Sequence, residues 1–222
     1  EAYARELTLA RDAGINLIRV CGTTVYEPRV FHDLADELGI MIWQDAMLAN
    51  FDYPVVDARF RAELRAESEA FLAARQGSPS LVVYCGGSEI LQQAAMLGLP
   101  RERWSNDFID GELAGLVADW RPDVAYVVNS PSGGELPFVV DAGVGHYYGV
   151  GAYRRPLEDA RRANVRFASE CLGFANVPET RALMRDFGRG PLSSPLWRAR
   201  IPRDQGAMQD FEDVRDHYVG LL

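Results

Sequence analysis

Short apolar runs alternate with helical patterns along most of the chain. The runs predict six β-strands, over 15–22, 40–46, 80–87, 124–130, 143–149 and 165–170. The segments between them predict helices over 2–13, 27–39, 57–76 and 156–164, and a helical region that is broken near Pro100 and runs to about Trp120. Gly14 and Gly39 predict the ends of the first two helices. After Pro178 the pattern becomes helical and irregular.

The strand pattern predicts an α/β fold. The strands are continuous apolar runs, which are typical of parallel strands covered on both faces. Two architectures fit, an open doubly wound sheet and a (β/α)8 TIM barrel. Polar residues follow nearly every strand, whereas an open sheet concentrates its site at one switch point. This favours the barrel, and six strands make it an incomplete one.

Two glutamates follow strands in the same way. In "LVVYCGGSEI" (81–90) and "VRFASECLGF" (165–174), a strand runs into small residues and then into Glu89 or Glu170. A lone glutamate there often only begins a solvated helix. Small residues, however, let a ligand approach the backbone closely. Two carboxyl groups in one barrel mouth are what glycoside hydrolysis needs, one to protonate the leaving oxygen and one to attack the anomeric carbon or activate water.

Several sequence blocks resemble the catalytic barrel of glycoside hydrolase family 2, and within it the β-mannosidase branch. The blocks are "GINLIRVCGTTVYEPRVFHDLADELGIMIWQDAMLAN", "SPSLVVYCGGSEI", "SPSGG", "GHYYGVG" and "RFASECLGFANVPE". Their order and spacing cover most of residues 10–180. The resemblance implies strands two to seven of the barrel. Residues 1–222 would then be a single partial catalytic domain, a fragment of a longer multidomain chain with flanking strands and β-sandwich domains.

The resemblance also implies the catalytic roles. Glu89 matches the general acid/base and Glu170 the nucleophile of a retaining exo-β-glycosidase. The implied substrates are terminal β-mannosides, with β-glucosaminides or β-galactosides as alternatives, and no metal or organic cofactor is implied. Ser88 stands where the family has a substrate-contacting Asn, and Cys21 where it has a Trp. These departures leave open a catalytically impaired carbohydrate-binding barrel.

Three residues on the second and third strands of the proposed barrel are candidate substrate-binding residues, together with Ser88. Arg19 ends a buried strand, where a charge needs a partner. It either orders Glu170 through charge-assisted hydrogen bonds or forms a structural ion pair with Asp45. Trp43 can stack on a sugar or pack in the core. Asp45 faces the barrel mouth if its strand continues through it.

The sixth strand contributes further candidates, His146, Tyr147 and Tyr148. A tyrosine at this strand end commonly hydrogen-bonds the nucleophile in related barrels. Both tyrosines qualify by position, and the sequence does not choose between them. His146 is either a structural hydrogen-bond donor or a functional group.

Composition limits the partners. The 222 residues include 32 acidic and 23 basic side chains, a net charge of −9 that disfavours nucleic acid and anionic membranes. A carbohydrate substrate remains the expected partner. Cys21, Cys85 and Cys171 lack the number and spacing of a disulfide framework or a zinc site, and their positions suggest packing. All basic residues are Arg, which indicates a GC-rich, bacterial genome. The expected location is cytoplasmic or secreted.

Overall fold

The computed structural model describes residues 1–50, 52–173, 179–188, 195 and 211–222. The chain divides into two compact units, the first unit being residues 1–145 and the second unit residues 146–222. In the part of the chain that the structure describes, no helix combines the length and the apolar character needed to cross a membrane.

The first unit contains a four-stranded parallel sheet. Its strands lie in the order β1-β2-β3-β4 and are β1 (Leu17–Val20), β2 (Met41–Asp45), β3 (Leu81–Cys85) and β4 (Ala125–Val127). Each strand therefore pairs with the next one along the chain. The register places Arg19 beside Trp43, and Asp45 beside Cys85.

Helices precede or connect these strands. They are α1 (Ala2–Asp12), α2 (Arg29–Leu38), α3 (Ala58–Ala74), α4 (Gln92–Met96) and α5 (Ala114–Trp120), with a 3-10 turn at Arg101–Arg103 and a π-helical turn at Phe108–Leu113. Gly39 ends α2 with a left-handed φ of 71°. The Asp57 side chain caps α3 by accepting from the Phe60 N–H at 2.8 Å.

The apolar core lies on one face of this sheet. It joins Val20, Ile42 and Tyr84 from successive strands to helix residues, among them Phe31, Phe71 and Leu116. Parallel strands in sequential order with right-handed crossovers keep their helices on one side. Because side chains alternate along a strand, Arg19, Trp43 and Asp45 point to the opposite face. That face carries the polar candidates.

The second unit contains a two-stranded sheet of β5 (Gly145–Tyr147), which begins at the unit boundary, and β6 (Ala168–Cys171). Its helices are α6 (Glu158–Arg162), α7 (Thr180–Phe187) and α8 (Phe211–Val219). The irregular stretch expected after residue 178 lies partly outside the described residues.

The α/β class and all six strands are confirmed. The observed strands are shorter than the predicted runs; at β2 the last residue of the run, Ala46, is buried in the loop that follows. β6 begins three residues later than predicted and ends at Cys171, so Glu170 lies within the strand rather than after it. The break near Pro100 is also confirmed, since α4 ends at Met96 and a 3-10 turn follows. A single partial barrel domain remains a prediction.

Candidate active site

Arg19 and Asp45 form a buried ion pair on the face of the sheet opposite the helices. Arg19 Nη2 lies 2.7 Å from Asp45 Oδ2, and the two side chains are 11% and 0% exposed. The Gly22 N–H donates to the same oxygen at 3.0 Å, and Trp43 Nε1 donates to Oδ1 at 2.7 Å. Both carboxylate oxygens therefore have donors. The ion-pair interpretation of Arg19 is confirmed, and β2 does continue through Asp45.

Trp43 is held in one orientation by this carboxylate. It is 4% exposed, and it lies on the same face as Asp45 because the two residues are two positions apart in β2. Its indole N–H is occupied by Asp45. Any part it takes in sugar stacking remains a prediction.

Ser88 lies where several loop segments join beyond the end of β3. Its Oγ accepts from Arg19 Nη2 at 3.1 Å and lies 3.5 Å from Cys21 Sγ. Isolated parallel bridges link Ser88 to Ala49 and to Ser130, so the sheet pairing continues one step past the strands. Ser88 is 2% exposed. It is thus tied to Arg19 by side chain and to both neighbouring loops by backbone.

Glu89 follows Ser88 in a left-handed backbone conformation, with φ 59°. Non-glycine residues adopt it rarely, and it persists where surrounding contacts impose it. Here the Glu89 N–H donates to Ser130 O at 2.7 Å, and the next amide, of Ile90, donates to Asn129 Oδ1 at 3.3 Å. The half-buried Glu89 side chain therefore projects from a backbone fixed on both sides. Asn129 is a fully buried support, and in the sequence it is only a polar residue near the end of the predicted strand 124–130.

The glycines before Glu89 serve the packing of the chain itself. A Cβ on Gly86 would lie 2.3 Å from Val128 O and 2.3 Å from Ile109 Cγ2. Likewise, a Cβ on Gly22 would lie 2.5 Å from Leu48 O. The sequence interpretation that small residues here make room for a ligand is corrected at Gly86, where neighbouring protein atoms fill the space.

Glu170 in β6 is held by two side chains from the end of β5. Tyr148 Oη donates to Glu170 Oε2 at 2.5 Å, and His146 Nε2 lies 3.6 Å from Glu170 Oε1. The His146 and Glu170 side chains are 4% and 31% exposed. A carboxylate with a donor at one oxygen and an imidazole at the other is fixed in orientation while keeping access to solvent.

Tyr147 points the other way. Its Oη donates to Asp159 Oδ2 at 2.7 Å, on α6. Burial raises the pKa of Tyr147, and the hydrogen bond to Asp159 raises it further. Successive residues of an extended strand face opposite sides, so only one of the two tyrosines can reach Glu170. Tyr148 is that residue, and Tyr147 is left out of the candidate site.

Cys85 lies at the end of β3 but is sealed in the protein. It is 0% exposed, and its Sγ lies 3.3 Å from Gly87 O. Burial, followed by the nearby Asp45 charge, raises the pKa of the Cys85 thiol well above its ordinary value. A thiol kept protonated is neither a nucleophile nor a metal ligand. The packing interpretation holds for Cys85.

Comparison with known proteins finds β-mannosidases. No protein-family model matches the chain. The chain is 34% identical over 133 residues to β-mannosidase B of Thermothelomyces thermophilus. The matched stretch covers 54% of this chain and 15% of that protein. It is 41% identical over 87 residues to the β-mannosidase of Bos taurus, across 39% of this chain and 10% of that protein. The chain thus spans a small part of these relatives' length.

A solved structure shows the same relationship. The crystal structure of the β-D-mannosidase from Dictyoglomus thermophilum matches 82% of this chain and 23% of that chain, with a TM-score of 0.71 and 30% identity. The resemblance to the β-mannosidase branch of glycoside hydrolase family 2 is confirmed by these matches. The curated relatives named above are fungal and mammalian, so the expected bacterial origin remains a prediction.

Proposed function

We propose that this chain, a relative of the β-mannosidases, is the central part of the catalytic (β/α)8 barrel of a retaining exo-β-glycosidase that acts on terminal β-mannosides. The parent would be a longer, multidomain protein. The sequential parallel strands of the first unit support a barrel, because an open doubly wound sheet reverses its strand order at a switch point.

Glu170 is the proposed nucleophile. Its carboxylate attacks the anomeric carbon and displaces the leaving oxygen, which gives a covalent glycosyl-enzyme. Tyr148 donates to one carboxylate oxygen and His146 lies beside the other, so the attacking group is oriented before substrate arrives. This arrangement supports the role, because a correctly oriented nucleophile lowers the entropic part of the barrier.

Glu89 is the proposed acid/base. It protonates the leaving oxygen in the first step and removes a proton from the incoming water in the second. The left-handed backbone at Glu89 supports this assignment, because strained residues cluster at functional sites. The strain is carried by paired loops on both sides rather than by Glu89 alone.

The buried Arg19–Asp45 pair is the proposed support of this region. Arg19 also donates to the hydroxyl of Ser88, the residue that precedes Glu89, so the ion pair is tied to the segment from which the acid/base projects. That Arg19 also orients Glu170 remains a prediction. Asp45 would then act through Arg19 and Trp43 rather than on the sugar.

The observation that carries the proposal is the strained, doubly anchored Glu89 in a chain related to β-mannosidases. The test uses the full-length protein and aryl β-mannosides. Glu170→Gln should abolish turnover. Glu89→Ala should slow turnover strongly, with azide restoring activity by replacing water and giving a β-configured glycosyl azide. Exposed Glu158→Gln is the control and should stay active. Retained turnover in Glu170→Gln would refute the proposal.

A second candidate is a carbohydrate-binding barrel with impaired catalysis. Ser88 and Cys21 favour it, because a short hydroxyl and a thiol occupy positions that contact substrate in the family. Sugar binding by the wild-type full-length protein, without turnover of any aryl β-glycoside in a panel, would select this candidate.

A further inference from the structure

The backbone pairing between β3 and β4 continues past both strands and reaches the proposed acid/base. Beyond the strands, the Ser130 N–H donates to Gly87 O at 2.9 Å, and the Glu89 N–H donates to Ser130 O at 2.7 Å. The next amide, of Ile90, donates to a side-chain oxygen instead, Asn129 Oδ1, at 3.3 Å. The segment that carries Glu89 is therefore tied once more to the end of β4, this time by a side chain.

The Asn129 side chain can face Ile90 in one orientation only. Its Nδ2 donates to Pro131 O at 2.8 Å, and a carbonyl oxygen can only accept. The Ile90 N–H can only donate, so the remaining group of the amide, Oδ1, must meet it. Asn129 is 0% exposed, so bulk water does not compete for either bond. The Asn129 amide is thus a fixed bridge between the segment after β4 and the segment after β3.

The left-handed conformation of Glu89 needs such a bridge. A glutamate with φ 59° is strained, and it persists where the surrounding contacts impose it. The two amides that flank the φ and ψ bonds of Glu89 are both held, its own by Ser130 O and that of Ile90 by Asn129 Oδ1. The Glu89 side chain leaves the backbone between these two amides. A change in either dihedral angle would therefore change the direction of its carboxyl group.

We infer that Asn129 is a positioning residue for the proposed acid/base, because its amide fixes the backbone at Glu89 and with it the direction of the carboxyl group. The inference rests on the proposed function. A general acid must lie within hydrogen-bonding reach of the oxygen that it protonates. A misplacement of about 1 Å can cost about 100-fold in rate. Asn129 is fully buried, so it acts through Glu89 and needs no contact with the sugar.

The test compares two aryl β-mannosides as substrates of the full-length protein. Phenyl β-mannoside has a basic leaving group that needs a proton, whereas the leaving group of 2,4-dinitrophenyl β-mannoside departs as a stable anion. Both give the same glycosyl-enzyme, so the phenyl-to-dinitrophenyl ratio of kcat/KM measures proton donation. Glu89→Ala should lower this ratio by about 100- to 10,000-fold, the usual contribution of a general acid.

Asn129→Leu is the decisive variant, because leucine is similar in size and lacks both polar groups. It should lower the phenyl-to-dinitrophenyl ratio by about 10- to 100-fold. The matched control is Ser78→Ala, which removes a buried hydroxyl that donates to Asp36 Oδ1 at 3.0 Å, before the start of β3. Ser78→Ala should leave the ratio unchanged.

A double variant separates positioning from general damage to the fold. If Asn129 acts through Glu89, Asn129→Leu should have no further effect on the ratio in the Glu89→Ala background, because two residues that act together are not additive. A further fall of about tenfold or more in the double variant would overturn the inference, since additive effects are those of independent sites.

The remaining outcomes separate this inference from the function on which it rests. Wild-type protein that hydrolyses neither substrate, or a wild-type ratio in Glu89→Ala, would overturn the proposed function. A lowered ratio in Glu89→Ala with a wild-type ratio in Asn129→Leu would overturn the assignment of Asn129 alone. If Asn129→Leu does not fold, Asn129→Ser is measured in the same way, since its shorter side chain gives up both partners. A wild-type ratio in Asn129→Ser would then overturn the assignment.

Discussion

The buried Asp45 carboxylate offers the sharpest test of the site's architecture. Each of its oxygens only accepts hydrogen bonds. Oδ1 accepts from Trp43 and, at 3.4 Å, from Arg19 Nε, and Oδ2 accepts from Arg19 Nη2 and Gly22. In Asp45→Asn, either orientation of the amide turns its NH2 group toward one of these donors. The substitution also removes the negative charge that Asp45 contributes to its ion pair with Arg19, whose side chain is 11% exposed. Breaking such a pair costs about 3–5 kcal/mol.

Hydrogen exchange followed by mass spectrometry measures this cost locally. Peptides covering β1 and β2 should exchange about two to three and a half orders of magnitude faster in Asp45→Asn, because each 1.4 kcal/mol corresponds to a factor of ten. The matched control is Asp33→Asn, whose partner Arg29 lies 3.5 Å away at side-chain exposures of 54% and 81%. Exposed pairs contribute less than about 1 kcal/mol. Protection of β2 within threefold of wild type in Asp45→Asn would refute the structural role assigned to this pair.

Three further predictions use neighbouring residues as comparisons. Tyr148→Phe should lower kcat/KM of the full-length protein about 10- to 100-fold, because a hydrogen bond to a charged group contributes about 1.5–3 kcal/mol. Tyr147→Phe, which loses a bond to Asp159 instead, should change kcat/KM less than about threefold. In thermal melts, Gly86→Ala should destabilise by about 1–3 kcal/mol because its Cβ meets backbone, while Gly115→Ala, with nothing within 4 Å, should stabilise by roughly 0.5–1 kcal/mol. Burial lowers the pKa of His32 from 6.5 to about 4, so between these pH values the folded state binds fewer protons than the unfolded state. The free energy of unfolding should therefore fall as the pH drops from 6.5 toward 4. Urea titrations of His32→Leu should no longer show this fall.

The hydrophobic pattern was enough to predict the elements of the fold. Largely apolar runs such as 40–46 and 80–87 gave strands at Met41–Asp45 and Leu81–Cys85, because parallel strands that are covered on both faces carry mostly apolar side chains. The pattern could not supply the pairing past the strand ends. The bridges that join Ala49, Ser88 and Ser130 arise from loop packing, which leaves no periodic signal in the sequence.

The candidate site was predictable at the level of residue type and less so at the level of contacts. Glu89 and Glu170 were found from the strand-to-glutamate pattern, but the left-handed conformation of Glu89 was not, since it depends on Ser130 and Asn129. The choice of Tyr148 over its neighbour required knowing where β5 ends and which side of it Glu170 occupies. Side-chain direction at a strand end depends on the local backbone, and position alone does not determine it.

The most direct test of the central claim is covalent trapping of the nucleophile. The full-length protein is incubated with an activated 2-deoxy-2-fluoro β-mannoside, whose fluorine slows the second step so that the glycosyl-enzyme accumulates. Proteolysis and mass spectrometry then locate the added sugar. Our prediction is one sugar per chain on the peptide that contains Glu170, and none in Glu170→Gln. A label on another carboxylate, or turnover of aryl β-mannosides with inversion and without a label, would contradict it.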